Sequence, residues 1–271
     1  MNSIDQIAIE AAKKAGRFIQ QCAGDLGSLN IEQKSLHDYV SEVDRKSEGI
    51  IFEIISQHFP THAFIGEEFG DSGVRSSEYQ WIVDPLDGTT NYLRGIPHYA
   101  VSIAVTRESV LQYAVIYDPA KDELFSASKG GGAFLNGETI KVSNPSCFAG
   151  ALLATGIPFN GDNLAQIACF TATMEALLAK QTSGIRRLGS AALDLAYVAS
   201  GRFDGYWEAN LQAWDIAAGA LIVEEAGGCV GELNGGCSFL ESGNIVAAGS
   251  AVYKEMVGVT RKIYKNKAEL R

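Results

Sequence analysis

The stretch at residues 81–92, WIVDPLDGTTNY, constrains the fold of this chain more than any other segment. Its first three residues, Trp81-Ile82-Val83, are apolar and favour β-structure, so they predict a strand that is buried on both faces. Pro85 cannot donate a hydrogen bond to a sheet and has a fixed φ. We therefore predict that this strand ends at Asp84 and that the chain turns there.

The second half of the stretch combines possible ligands for a cation with donors for an anion. Asp87 is a second carboxylate, and Gly88 permits a positive φ and a close approach of the backbone to a ligand. Thr89 and Thr90 are good N-cap residues, so a helix beginning there would direct free N–H groups toward the two aspartates. Mg²⁺ prefers oxygen ligands and is commonly shared with substrate phosphate. The stretch alone is more typical of a turn in which aspartates bond to their own backbone.

Three further acidic residues favour the binding-site interpretation over the turn. Glu67 follows a short predicted strand at residues 63–66, which would deliver it to the same sheet edge as Asp84. Asp44 stands where a second amphipathic helix begins, and from its own segment it is better explained as an N-cap. Asp215 lies in the first turn of another predicted helix, where it could equally complement the helix dipole.

Composition narrows the class of protein. The 271 residues predict about two domains that share a cleft, and 46% apolar with 20% charged residues is typical of a globular protein. A net charge of −10 argues against broad electrostatic binding of nucleic acid. Five cysteines without a Cys-x-x-Cys pair predict reduced thiols and a cytoplasmic protein, and the chain shows no signal peptide or membrane-spanning run.

The order of predicted elements changes near residue 145. Before it, we predict helices at 3–22 and from Asp44 to Phe59, a polar loop at 32–44, and a largely antiparallel sheet that includes a hairpin at Asn136-Gly137. After it, strands at 151–155, 184–188, 203–208 and 244–250 alternate with helices at 162–180, 190–200, 213–226 and the C-terminus. We therefore predict an α+β domain at 1–145 with most of the metal ligands and an α/β domain at 146–271 with Asp215.

These motifs resemble the inositol monophosphatase family, and its bacterial members in particular. The resemblance covers nearly the whole chain. It rests on three motifs in this order: Gly66-Glu67-Glu68, residues 81–92, and Trp214-Asp215 followed by Ala217-Ala218-Gly219 and Glu225-Ala226-Gly227-Gly228.

The resemblance implies a five-layer α-β-α-β-α sandwich, usually a homodimer, that hydrolyses myo-inositol monophosphate with two or three Mg²⁺ ions and is inhibited by Li⁺. It implies that the metal ligands are Glu67, Asp84, Asp87, Asp215 and the carbonyl of Leu86.

The resemblance also assigns roles around the phosphate. Asp44 is similar to a carboxylate that helps to hold a further metal through water, while Thr89 and Glu67 would orient the attacking water. Gly88 and Thr89 would donate N–H groups to phosphate. Contacts with the substrate would come from Asp87, Ala191, Glu208 and Asp215. Ser41 and Ser190 stand where the family often has threonine.

Three other functions remain open from the sequence. The same chemistry could act on another sugar or nucleotide phosphate, because fold and metal site do not define the leaving group. A regulatory role that binds transcription or RNA-processing machinery could exist beside catalysis. A glycosidase with two carboxylates fits less well, because it leaves Gly88 and Thr89 unexplained.

The position of Glu208 at the end of a predicted strand, taken alone, is also explained by an exposed glutamate without a functional role.

Overall fold

The computed structural model describes residues 3–23, 31–35, 38–73, 77–158 and 164–265. The helices are α1 Ile4–Cys22, α2 Glu42–His58, α3 Thr89–Leu93, α4 Leu164–Leu178, α5 Ala191–Ala199, α6 Ala213–Glu225, α7 Phe239–Ser242 and α8 Ser250–Lys265. Within these ranges, no helix is both long and apolar enough to cross a membrane.

The strands form one ribbon and two larger sheets. They are β1 Ile31–Ser35, β2 Asp38–Ser41, β3 Ala63–Gly66, β4 Gly70–Ser72, β5 Tyr79–Asp87, β6 Ala100–Arg107, β7 Val110–Asp118, β8 Glu123–Ser128, β9 Gly132–Leu135, β10 Glu138–Thr139, β11 Leu152–Thr155, β12 Gly184–Arg186, β13 Gly205–Glu208, β14 Cys229–Gly231 and β15 Ile245–Ala248.

The first sheet has eight strands in the order β10-β9-β8-β7-β6-β5-β3-β4. Only the β3–β5 pair is parallel, with Gly66 opposite Val83, and the other neighbours are antiparallel. The predicted antiparallel character is therefore confirmed. Glu67 follows Gly66 and Asp84 follows Val83. Because parallel strands run in the same direction, these two residues lie side by side at one edge of the sheet, as predicted.

Strand β5 does not end at Asp84, and this prediction was wrong. The strand continues to Asp87, and its register with β6 shifts because Asp84 pairs with Ser102 while Asp87 pairs with Ala100. Pro85 lies inside this irregular segment. A bulge leaves a residue outside the regular ladder, so a proline without an N–H group is tolerated there.

The second sheet has five strands in the order β12-β11-β13-β15-β14. β11 is parallel to β12 and to β13, whereas β15 is antiparallel to β13 and β14. The antiparallel pairing of the first sheet thus changes to partly parallel pairing near residue 145. The division into domains at that point remains a prediction.

The elements stack in five layers, α-β-α-β-α, as expected. Helices α1 and α2 cover the outer face of the first sheet, α5 and α6 lie between the sheets, and α4 and α8 lie beyond the second sheet. Helix α6 contacts strands of both sheets. One continuous apolar core therefore joins Phe125 of the first sheet, Leu195 and Leu221 of the middle layer, and Tyr206 of the second sheet.

Short elements account for the other errors. Residues 32–35 and 38–41, which lie within the predicted polar loop, belong to the paired strands β1 and β2. Strand β14 and helix α7 were not predicted, because three or four residues are too few to show a period. Helix α4 begins at Leu164 in the structure, and the predicted start at residues 162–163 lies outside the described residues.

Candidate metal centre and catalytic site

Three aspartates converge where β5 meets the N-terminus of α6. Asp84 and Asp87 come from the irregular end of β5, and Asp215 comes from the first turn of α6. Each offers a carboxylate oxygen within 4.8 Å of the other two. A cluster of oxygen donors of this kind fits a hard cation such as Mg²⁺.

Hydrogen bonds from the backbone hold each carboxylate in place. Asp84 Oδ1 accepts the N–H of Leu86 at 2.9 Å, and Asp215 Oδ2 accepts the N–H of Gln212 at 2.7 Å. Asp215 thus caps the start of α6 and also belongs to the cluster. An acidic residue that stabilises the first turn of a helix can therefore also belong to a site, and the two interpretations of Asp215 are compatible.

Asp87 links β5 to the middle helical layer. Its Oδ2 accepts hydrogen bonds from the Ser190 hydroxyl at 2.6 Å and from the Ala192 N–H at 2.7 Å. Ser190 is the N-cap of α5 and also accepts a hydrogen bond from the Leu193 N–H. The serine at this position therefore fills both roles with one hydroxyl, by donating to Asp87 and accepting from the helix.

The pKa values of the cluster are raised. Burial raises the pKa of Asp84 well above its usual range, and Glu67, Asp87 and Asp215 add repulsion. Burial followed by repulsion from Asp87 raises the pKa of Asp215, and burial raises that of Asp87 to about 6 against the opposing hydrogen bonds. The negative charges of these carboxylates repel one another, and a divalent cation bound among them would relieve the repulsion.

Glu67 lies near this cluster, but it is not one of the three residues whose carboxylate oxygens lie within 4.8 Å of one another. It is half-buried, and its charge raises the pKa of both Asp84 and Asp215. Its backbone N–H donates to the Val83 carbonyl at 3.2 Å, which ties it to β5. Glu67 is therefore on the predicted side of the sheet, and its role as a metal ligand remains a prediction.

Thr89 and Asp44 form a hydrogen-bonded pair beside the cluster. The Thr89 Oγ1 lies 2.9 Å from Asp44 Oδ1 and 3.0 Å from the Leu86 carbonyl oxygen. Asp44 is buried and occupies the third position of α2, which begins at Glu42, so its interpretation as the N-cap was wrong. A hydroxyl that donates to a carboxylate keeps lone pairs with which to accept a hydrogen bond from water.

Gly88 is the N-cap of α3, so the prediction that Thr89 or Thr90 caps this helix was wrong. It has a φ of 94°, and a Cβ at this position would lie 3.0 Å from the His98 carbonyl oxygen and 3.2 Å from that of Gly189. Only glycine therefore satisfies both the backbone conformation and the close approach of these segments.

Glu208 ends β13 and lines a cleft with Thr155 and Gly156 at the carboxyl ends of β11 and β13. Its charge also raises the pKa of Asp215, so it lies within electrostatic reach of the cluster. The interpretation as an exposed glutamate was wrong, because Glu208 is only 9% exposed. The Tyr206 hydroxyl and the Gly156 N–H donate to its carboxylate. Burial raises its pKa to about 7, opposed by the bond from Tyr206 and reinforced by the charge of Asp87. Ala191, the first residue of α5, is buried in the middle helical layer.

Two buried acidic residues close to the proposed site residues were missed by sequence reasoning. Asp194 is 1% exposed, its Oδ1 has no hydrogen-bond partner among the described residues, and burial followed by repulsion from Glu208 raises its pKa. Glu48 is 0% exposed and lies one turn after Asp44 on α2. The available signal was their spacing, since each acid falls among apolar residues on the buried side of its helix.

Comparison with known proteins agrees with this architecture. The model of the "Inositol monophosphatase family" matches residues 1–266. "Nus factor SuhB" of Pseudomonas aeruginosa is 44% identical over 259 residues, covering 95% of each chain, and "Inositol-1-monophosphatase" of Mesorhizobium japonicum is 43% identical over 256 residues, covering 94% of this chain and 95% of the relative.

Two solved structures share the fold at similar identity. Extragenic suppressor protein suhB from Bartonella henselae has a TM-score of 0.90 at 42% identity, with 94% of this chain and 97% of that chain covered. Inositol monophosphatase from Anabaena (Nostoc) sp. PCC 7120 has a TM-score of 0.85 at 39% identity, with 96% and 95% covered. The chain belongs to the inositol monophosphatase family.

Proposed function

We propose that this protein is a Mg²⁺-dependent phosphomonoesterase that hydrolyses myo-inositol monophosphate to inositol and phosphate. The observation that carries the proposal is the convergence of three aspartates beside the Thr89–Asp44 pair. Membership of the family supports a phosphatase. The inositol substrate, two or three Mg²⁺ ions, lithium sensitivity, a homodimer and a cytoplasmic location belong to the same proposal.

The chain's oxygen donors have defined parts in this proposal. Asp84, Asp87, Asp215, Glu67 and the Leu86 carbonyl would hold Mg²⁺. When bound, Mg²⁺ lowers the pKa of a coordinated water and neutralises the charge that develops on the leaving oxygen. The clustered carboxylates that hold the cations would otherwise repel the phosphate.

The remaining residues orient the reactants. Asp44 accepts a hydrogen bond from the Thr89 hydroxyl, so the Thr89 oxygen is directed to accept a hydrogen bond from the attacking water, with Glu67 as a second acceptor. The N–H groups of Gly88 and Thr89 donate to phosphate oxygens. Asp87, Ala191, Glu208 and Asp215 would contact the substrate.

Glu208 supplies recognition of the substrate's hydroxyl groups in this proposal. We expect Glu208→Ala to lower kcat/KM on inositol monophosphate by about 10- to 150-fold, because a hydrogen bond to a charged group contributes about 1.5–3 kcal/mol. Hydrolysis of p-nitrophenyl phosphate, which lacks those hydroxyls, should change only a few-fold. Phosphate release measured on both substrates checks the difference.

Glu208→Gln is the matched variant, since it keeps the side-chain length and one acceptor oxygen for Tyr206. It should retain more activity on inositol monophosphate than Glu208→Ala. Equal losses on both substrates would show that Glu208 supports the metal centre or the fold instead. The same assay across sugar and nucleotide monophosphates decides whether inositol phosphate is the preferred substrate.

We further propose a second function, binding to transcription machinery, because relatives 44–47% identical are named "Nus factor SuhB". Such binding uses the protein surface and does not require the metal centre. We expect a catalytically inactive Asp84→Asn variant to recover the same transcription proteins as the wild type in a pull-down from bacterial extract. Loss of those proteins with Asp84→Asn would contradict an independent binding role, and their absence from both samples would remove the second function.

A further inference from the structure

The buried carboxylate of Glu48 lies beneath the turn that carries Glu67. Its Oε2 accepts the N–H of Glu68 at 3.0 Å and the N–H of Phe69 at 2.9 Å. These two N–H groups belong to the residues that follow Glu67 directly, in the turn between β3 and β4. One carboxylate oxygen therefore anchors the backbone on the C-terminal side of Glu67, while the bond to Val83 anchors Glu67 itself.

Gly66 shows how closely Glu48 approaches this turn. A Cβ added at Gly66 would lie 1.5 Å from Glu48 Oε1 and 2.6 Å from its Cδ. The glycine before Glu67 is therefore required by the approach of Glu48 to the backbone, since Gly66 itself lies in a regular strand without a positive φ. The Gly66-Glu67-Glu68 motif therefore packs against a residue of another element, Glu48 of helix α2.

Helix α2 contacts Thr89 and the turn that follows Glu67, and the proposed function places Thr89 and Glu67 on the attacking water. Asp44 and Glu48 are four residues apart, so they lie on the same side of the helix. Asp44 accepts a hydrogen bond from the Thr89 hydroxyl, and Glu48 holds the turn that follows Glu67. The helix is anchored below them by the buried residues Ile51 and Ile55. A single rigid element therefore sets the positions of Thr89 and Glu67 relative to each other.

We propose that Glu48 is a positioning residue that places the Glu67 carboxylate for metal binding through the N–H groups of Glu68 and Phe69. The inference rests on the proposed function, because it assumes that Glu67 is a metal ligand. One oxygen accepts both N–H groups, so the position of the turn depends on how far the Glu48 side chain reaches. Partners of metal ligands typically change affinity or activity by about 10- to 100-fold when they are replaced.

The test compares two conservative variants that separate length from charge. Glu48→Asp keeps the charge but withdraws the oxygen by one methylene group, and Glu48→Gln keeps the length and one acceptor oxygen but loses the charge. Glu53→Asp and Glu53→Gln are matched controls, because Glu53 is exposed on the same helix. Calorimetric titration with Mg²⁺ alone, without substrate, measures the dissociation constant for each variant. Amide hydrogen exchange at Glu68 and Phe69 measures the hydrogen bonds directly.

We expect Glu48→Asp to weaken Mg²⁺ binding by about 10- to 100-fold and to speed exchange at both amides. Glu48→Gln should stay within a few-fold of the wild type in both measurements, and the Glu53 variants should not change. Faster exchange in Glu48→Asp with unchanged Mg²⁺ affinity would show that Glu48 only stabilises the turn. Equal weakening in Glu48→Gln and Glu48→Asp would show that its charge acts rather than its hydrogen bonds. Either result overturns the proposal.

Glu67→Gln, titrated in parallel, separates this inference from the proposed function. If wild type binds Mg²⁺ and Glu67→Gln binds it equally well, Glu67 is not a ligand and the proposed metal set fails. If Glu67→Gln weakens binding and Glu48→Asp does not, only the positioning role of Glu48 fails. Weaker Mg²⁺ binding in both Glu67→Gln and Glu48→Asp, with an affinity close to that of the wild type in Glu48→Gln, supports both the proposed metal set and the positioning role of Glu48.

Discussion

Removal of divalent cations by exhaustive treatment with EDTA is expected to lower phosphomonoester hydrolysis by at least about 1000-fold. The reason is the composition of the site, in which Asp84, Asp87 and Asp215 present carboxylate oxygens within 4.8 Å of one another. Without a cation these charges repel a phosphate dianion, and the pKa of the attacking water is not lowered. Phosphate release before and after EDTA, and again after excess Mg²⁺, measures the effect.

The control for this experiment is EDTA that has been saturated with Mg²⁺ before addition, which should leave activity unchanged. Circular dichroism of the metal-free protein should show the same secondary structure, since the aspartates lie at element ends rather than inside the apolar core. Full activity after complete removal of metal would contradict the proposed mechanism. Activity that Mg²⁺ cannot restore to folded protein would contradict the choice of cation.

Asp87→Asn is expected to lower kcat/KM by at least about 100-fold, because replacement of residues that merely support metal ligands already costs about 10- to 100-fold. The metal-free variant should nevertheless be as stable as the wild type at neutral pH, or more stable by a few degrees in Tm. Asparagine has the shape of the neutral acid, and it keeps an acceptor oxygen for the hydrogen bonds from Ser190 and Ala192.

The pH dependence of this stability difference follows from the raised pKa of Asp87. Folding raises its pKa from the usual value of 3.8 to about 6, mainly by burial. The folded state therefore holds the proton more tightly than the unfolded state, and metal-free wild type loses stability as the pH rises through this window. Asp87→Asn has no proton to lose, so its advantage should be absent near pH 4 and complete above about pH 6.

Thermal unfolding of both proteins in EDTA at several pH values checks this prediction, and Mg²⁺ titration measures the accompanying loss of affinity. Asp118→Asn serves as the matched control. Asp118 is buried more completely than the half-buried Asp87, and it lies outside the cluster, paired with Lys121, so its replacement should lower stability without changing Mg²⁺ affinity. A large loss of stability in metal-free Asp87→Asn would mean that the link from Asp87 to α5 outweighs charge repulsion.

Local patterns in the sequence determined much of the fold. The apolar stripe of α1, the hairpin at Asn136-Gly137 and the alternation of strands and helices after residue 145 all appear in the structure. These features depend on residues within one or two turns of each other, so their physical cause is contained in short segments. The proline at position 85 misled the prediction, because a bulge accommodates what a regular strand would exclude.

The sequence by itself also determined which residue types are available for a site: paired aspartates around Pro85, a glycine for the turn into α3, and acidic residues at the starts of α2 and α6. Only the tertiary structure decided which of them meet. Asp215 reaches Asp87 because α6 lies between two sheets, Asp44 and Glu48 reach Thr89 and the Glu67 turn because α2 packs against β5, and Glu208 is buried by its neighbours. Such contacts join residues that are far apart in the chain, and they follow from sheet order and helix packing, for which no local segment carries a signal.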